Sequence, residues 1–416
     1  MKRLLRQNGY GTGFLQVEVY GINQADPIDG VSVEITEIDH HNNKTILTTN
    51  EIGRTQTISL LAPDIINSME PTMIRPYNRC NLKLTKKGYE DAYINGVQLF
   101  PEAHAHQIVY FKKKTDISIP SLINIEEPVL WGDFPEKIPE ESVKELKNFS
   151  GLVVLPEVVI PEYIIVHMGT PNDTTVVNHR ILFKDYIKNV ACCEIFPSWP
   201  EETLKANVLA IISFTLNRVF TEWYRSLGHN FTITSTTSHD QKFDFGRTIY
   251  QEIDKVVDEV FTSYITKPNI KQPLLAQYCD GKRSLCPNWM SQWGSKYLGD
   301  QGKDALTILR TYYGSDVFLD DAPKVEGIPE SFIKDLSLND TGSEVRIIQE
   351  QLNAVSNNFP LIEKVKVNGT FDEQTRKSVE IFQGVFNLPV TGIVNRRTWY
   401  EISRLYVAVT KMAEIV

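Results

Sequence analysis

Ala191-Cys-Cys-Glu-Ile-Phe-Pro-Ser-Trp-Pro-Glu-Glu-Thr-Leu-Lys-Ala-Asn207 places one carboxylate, Glu194, in apolar and aromatic company directly before a helix start. Ser198 and Glu201 have the spacing of a capping box, the hydroxyl accepting the Glu201 amide while the carboxylate reaches back. Pro200 falls in the predicted first turn, where its missing N–H costs nothing. Beyond Leu204, the apolar positions Val208, Leu209, Ile211, Ile212, Leu216, Val219 and Phe220 make a wide helical face. Glu201 and Glu202 therefore have ordinary work at the positive end of a helix. Glu194 has none. Spacing alone makes a salt-bridged carboxylate ahead of a helix the simpler account. A carboxyl kept among Cys193, Ile195, Phe196 and Trp199 is also one whose proton stays on nearer neutral pH, because desolvation disfavours the charged form.

Outward from that stretch, length and composition bound the answer. The 416 residues predict two to four domains, and the net charge of -9 with no basic stripe argues against nucleic acid as a partner. No apolar run is long enough to span a bilayer, so no membrane partner is expected. After Lys2, Arg3 and Arg6 comes Gln7-Asn-Gly-Tyr-Gly-Thr-Gly13, where a cleavable Sec signal needs its apolar core. Cys80, Cys192, Cys193, Cys279 and Cys286 are too few and too uneven for a disulfide framework. Cys279 and Cys286 could pair or bind metal, but all five are expected as small apolar residues, with no metal and no cofactor.

Residues 1–114 read as a β-rich domain. Gly13 to Tyr20 and Val31 to Ile38 alternate with period two around the turn Asp26-Pro-Ile-Asp-Gly30, and short strands are predicted at 44–49, 55–61, 80–85, 93–100 and 106–111. His104-Ala-His106 is expected in a surface loop. Residues 115–155 read as a Pro-rich, protease-sensitive linker with a short helix. A central α+β domain covers 156–320, with an amphipathic helix over 252–261 and a polar, aromatic loop over 278–295. A linker over 321–335 leads to a small α-helical domain over 336–416, in which Val367-Asn-Gly-Thr-Phe371 and Val390-Thr-Gly-Ile-Val394 are near-copies, each following a helix.

These residues carry resemblances. The C-terminal repeat resembles the peptidoglycan-binding domain of cell-wall hydrolases: Gly342, Val345, Ile348, Gln349 and Leu352 match its first helix, and the two turns, Phe382-Gln383 and Thr398-Trp399 match the remainder. The N-terminal pattern resembles prealbumin-like modules, a β-sandwich-like fold. Glu194 with Ser198-Trp199-Pro200, then Trp289-Met-Ser-Gln-Trp-Gly-Ser295, then Ile308-Leu-Arg-Thr-Tyr-Tyr313, resemble in order three motifs of the SpoIID family of lytic transglycosylases. Ile212 stands where that family has Arg, and Cys286-Pro287 replaces its His-Gly. Some relatives bind zinc in the middle segment, where His229, Ser235 and Asp240 stand here, so no zinc is expected.

The whole arrangement resembles clostridial spore cortex-lytic enzymes, and the stretch Val153 to Glu162 resembles their mature start. The resemblance implies a zymogen of the spore cortex and coat region, acting on cortex peptidoglycan during germination. Its N-terminal region would cover the Glu194 cleft until an activating Csp-type serine protease cuts. It also implies Glu194 as a single acid/base for 1,6-anhydro cleavage, with Ser291, Gln292, Lys282 or Arg283 and Trp199 holding glycan. The rivals are a hydrolase (a glycosidase or an N-acetylmuramoyl-L-alanine amidase) and a non-catalytic wall-binding spore protein. The usual glycosidase needs a second carboxylate and the usual amidase needs zinc on His ligands; neither set is visible.

Overall fold

The computed structural model describes residues 10–22, 25–115, 120–144 and 157–410. The seven strands expected before residue 114 form as β1 (Tyr10–Tyr20), β2 (Ser32–Glu37), β3 (Asn43–Thr48), β4 (Ile58–Pro63), β5 (Asn78–Thr85), β6 (Ala92–Leu99) and β7 (His104–Tyr110), and an eighth, β8 (Ser121–Asn124), falls in the stretch expected as linker. One sheet runs β3-β2-β5-β6-β8, and the other contains β4-β1-β7. Leu15, Val17 and Val19 of β1 share a core with Val33 and Ile35 of β2 and with Leu82, Leu84 and Ile94 of the facing sheet. Burying alternate side chains on each strand in this way supplies most of the stabilisation available to a small sheet pair, about 25 cal/mol per Å² of apolar surface.

The second sheet does not stop at the domain edge. Ile249–Tyr250, far along the chain, pairs antiparallel with His106 and Ala105 of β7. His104-Ala-His106 is thus a strand segment rather than the predicted surface loop. His104 Nδ1 lies 2.9 Å from Glu252, and His106 Nδ1 lies 2.9 Å from Glu18.

The central part packs its helices around the one over Glu201–Phe220, which is buried on nearly every side. A helix apolar all round belongs in an interior, and most of its polar side chains find partners there, although Asn207 Oδ1 and Asn217 Oδ1 are buried without one. The Ser213 hydroxyl donates to the Leu209 carbonyl and accepts the Ile265 amide, and Asn217 donates to the Pro273 carbonyl. Helices over Phe183–Glu194, Gln251–Val260, Gln292–Asp300 and Ala305–Tyr313 surround it. The capping box does not form. The Ser198 hydroxyl is 2.8 Å from Ser68 Oγ of the N-terminal domain, and Pro200 itself occupies the cap position with no side-chain bond. No helix among the described residues is long and apolar enough to cross a membrane.

Two further expectations are corrected. Residues 120–144 contain no helix and are not loosely held. They form a strap stitched to the central part by Val129 N–H to Cys193 O at 2.8 Å, Ile138 N–H to Ser238 O at 2.7 Å and Leu275 N–H to Ser142 O at 2.8 Å. Proline there prevents helix but leaves an extended chain free to be captured by backbone partners. Cys279 and Cys286 are joined by a disulfide, with Cα atoms 5.6 Å apart. The loop between them doubles back on itself, which brings together two cysteines seven positions apart. Cys80, Cys192 and Cys193 are buried free thiols, as expected.

The C-terminal region holds helices over Ser343–Val355, Glu373–Val385 and Arg396–Thr410 around Leu352, Phe371, Phe382 and Trp399. Its repeat has a physical basis. Gln349 Oε1 accepts the amides of Asn368 and Gly369 at 3.0 and 2.9 Å while its Nε2 donates to the Thr370 carbonyl. Gln383 does the same one unit later, accepting from Thr391 and Gly392 at 2.8 and 2.9 Å and donating to the Ile393 carbonyl. Each helix thus carries one buried amide that ties down the turn after it. The molecule is a mixed α+β chain with this helical region at its C-terminus.

Candidate functional site

Glu194 is the last residue of the Phe183–Glu194 helix and is 2 % exposed. Helix C-termini carry a partial negative charge, so a carboxylate is not welcome there. The neighbouring Cys192, Cys193, Ile195 and Phe196 are buried as well. Oε1 accepts the Lys242 amide at 2.9 Å, and Gln292 Nε2 lies 3.4 Å from Oε2 and 3.2 Å from the Glu194 carbonyl. Burial pushes the Glu194 pKa up, and it outweighs the opposing pull of the Lys137 charge and of these two hydrogen bonds. The carboxyl therefore keeps its proton to higher pH than an ordinary glutamate does.

It lines a cleft of about 260 Å³ shared with Tyr278, Asp280, Arg283 and Gln292 on the central side. The facing wall is the strap: Val129, Asp133, Phe134, Pro135, Glu136 and Lys137. Other carboxylates at the cleft have other engagements or belong to the strap. Asp280 Oδ1 accepts the amides of Lys282, Arg283 and Ser284, and its Oδ2 pairs with Arg283 Nε at 2.8 Å. The Asp280 pKa is lowered: these bonds to Arg283 and to the loop amides outweigh its partial burial, which alone would raise it. Glu194 and Asp280 therefore differ in kind.

The residues expected at the site are only partly brought together. Glu194, Gln292 and Arg283 share the cleft. Arg283 turns its guanidinium to the strap, donating to the Trp131 carbonyl at 3.1 Å and to those of Gly132 and Val129. Lys282 is exposed and does not line the cleft. Ser291 accepts the Gly294 amide at 2.9 Å and caps the Gln292–Asp300 helix, so its hydroxyl fixes Gln292 rather than facing the cleft. Gly281 makes that arrangement possible: its φ is +74°, and a Cβ would fall 1.9 Å from Ser291 Oγ. Trp199 is buried beneath the N-terminal domain, its indole N–H donating to the Ser68 carbonyl at 2.9 Å and its ring 5.0 Å from that of Trp293.

Three contributors were not singled out from sequence. Lys137 and Lys242 reach Glu194 from segments remote in the chain. Arg218, two turns beyond Ile212 on the long helix, is fully buried and bonded to Asp240 at 2.7 Å and to Glu140 of the strap. Its isolated basic position in an apolar face was the available signal. Asp240 also accepts from Tyr224 and Thr234 at 2.7 Å, and no group of three or more metal-ligating side chains occurs among the described residues.

Comparison with known proteins places one region. The family model of a peptidoglycan binding domain matches residues 341–402. These are the residues in which Gln349 and Gln383 hold their turns. The C-terminal region is therefore a peptidoglycan-binding domain. No curated protein matches the chain. Among solved structures, 3-chlorocatechol 1,2-dioxygenase from Rhodococcus opacus 1CP matches 27% of this chain and 60% of its own length, at 14% identity and a TM-score of 0.16.

Proposed function

We propose that the chain is a peptidoglycan lytic transglycosylase of the SleC-like, spore cortex-lytic kind, held idle by its own N-terminal region. The observation that carries the reading is Glu194: one buried carboxyl that favours its proton, in a cleft on the same chain as a peptidoglycan-binding domain. Protonated Glu194 gives its proton to the glycosidic oxygen as the bond to the anomeric carbon of MurNAc breaks. The resulting carboxylate then takes the proton of the sugar's own 6-hydroxyl as that oxygen closes on the anomeric carbon, leaving a 1,6-anhydro end and a regenerated acid. Attack within one ring needs orientation and no bound water, which is why one carboxyl can serve both steps.

The strap supports the zymogen half of the reading. It forms one wall of the Glu194 cleft and connects the β-rich domain to the segment where a Csp-type protease would cut. The mature start expected at Val153 lies outside the described residues. Lysis in the cortex and coat region of a spore follows from the same resemblance. The test is mass spectrometry of cortex treated with chain cut between residues 145 and 156. Anhydromuropeptides are expected from the cut chain, and Glu194→Gln should lower their release about 10²–10⁴-fold. Reducing ends or freed stem peptides in their place would assign the chain to a hydrolase, and no products at all would leave it a wall-binding protein.

A further inference from the structure

The strap contains a charge that its anchoring does not require. Residues on both sides of Lys137 already fasten it: the Thr237 hydroxyl donates to the Pro135 carbonyl at 3.2 Å, Gln277 Nε2 donates to the Ile138 carbonyl at 2.9 Å, and Glu140 pairs with Arg218. Between them Lys137 sends its ammonium inward to donate to the Asp240 carbonyl oxygen. The nitrogen stands 5.0 Å from the centre of the Phe214 ring and 5.2 Å from that of Tyr278. Tyr278 and Glu194 line the same cleft. Taking an ammonium out of water is costly unless its surroundings replace the lost solvation. Here a carbonyl oxygen and two aromatic faces replace part of it, with the Glu194 and Asp240 side chains pulling the same way, and burial still lowers the Lys137 pKa.

We propose that the space filled by Lys137 is the seat of the sugar ring whose anomeric carbon becomes positive during cleavage, and that Lys137 occupies it in the intact chain as a cationic stand-in. The inference rests on the reading of Glu194 as the acid/base. A breaking glycosidic bond spreads positive charge over the anomeric carbon and ring oxygen. What stabilises such a charge is fixed negative potential aimed at the place where it develops. The Asp240 carbonyl and the rings of Phe214 and Tyr278 supply that potential, Glu194 adds its charge once its proton has passed to the leaving oxygen, and the ammonium uses the same groups. Gln292 Oε1, buried in the same cleft, has no hydrogen-bond partner. Buried acceptors without partners are rare in native proteins, and a sugar hydroxyl would satisfy this one.

The probe is a protonated iminosugar of the N-acetylglucosamine type, titrated calorimetrically into the full chain. Lys137→Ala should bind it at least about tenfold more tightly than the unaltered chain, while Lys137→Arg, which keeps a cation in place, should not. Equal binding by Lys137→Ala and the unaltered chain would overturn the seat. Should Lys137→Ala fail to fold, a peptide of residues 129–140 is added to the cut chain once its N-terminal piece has been separated from it. The native peptide should displace the iminosugar, and the Lys137→Met peptide should do so about tenfold less well. Equal displacement overturns the seat too. Glu194 is judged separately by the anhydro products of the cut chain, so a failed stand-in and a failed acid/base give different results.

Discussion

Two buried acidic sites in this molecule have opposite characters. At the junction of the central part and the wall-binding domain, Asp258 is 3.2 Å from Lys184, 3.0 Å from Lys188 and 2.9 Å from Arg397. Glu401 joins the group through Lys184 at 2.8 Å and through Arg404. Burial alone would raise both pKa values, yet the adjoining cations hold Asp258 down at about 2 and Glu401 well below its ordinary value. Glu194 is as buried, but the charges of Lys137 and Lys242 do not outweigh its burial, and its pKa rises. The difference is the number of cations within reach. Paired to excess, a buried carboxylate is a fastener; left short of partners, it keeps its proton to higher pH.

The contrast can be broken in four ways, from the largest effect to the smallest. The first is pH. Because the Glu194 pKa is raised, its acid form is lost as pH rises through that value, and the lysis rate of the cut chain should fall there. Stability contributed by the protonated carboxyl is likewise full below its unfolded value and lost as pH rises through the folded one. Glu194→Gln should therefore remove activity and raise the melting temperature above that of the unaltered chain at pH 8. A lower melting temperature would make Glu194 structural.

The second is Asp258→Asn, which leaves three cations around a neutral side chain and should cost about 3–5 kcal/mol in urea unfolding. For the unaltered cluster the sign is reversed from that of Glu194. Its stability is full above the unfolded Asp value of 3.8 and is lost as pH falls toward about 2. A cluster indifferent to acid over that window would contradict the pairing. Third, Gln383→Ala strips partners from two amides and a carbonyl, at a cost of about 1–3 kcal/mol, and should reduce retention on peptidoglycan beads. The fourth and smallest is Trp199→Phe. It removes one hydrogen bond to Ser68 and should cost about 1 kcal/mol without changing the products of the cut chain. Altered products would return Trp199 to the glycan.

Much of the fold was legible because it is local. Alternation gave the N-terminal strands within a few residues, and the turn copies gave the wall-binding domain. Glu194 was legible as a carboxyl without an ordinary role. What escaped was set by remote partners. Ser198 has the right spacing for a cap, but Ser68, far off in sequence, takes its hydroxyl. Proline in residues 120–144 announces extended chain and says nothing of the surface it will lie on. Trp199 sits in a motif beside Glu194, but the helix ends at Glu194 and the non-helical turn that follows carries Trp199 into the N-terminal interface. The Cys279–Cys286 bond depends on a loop reversal that composition does not encode.

The strand pair between β7 and Ile249–Tyr250 bears on how such a chain could be switched on. A protease cuts covalent bonds, but it does not part a sheet. With the strap still bonded at Val129, Ile138 and Ser142, and the sheet still shared, a cut molecule begins life as a tight complex of two polypeptides. Its delay before acting would then be timed by the dissociation of those pieces, a clock written into the interface and independent of how much protease is present.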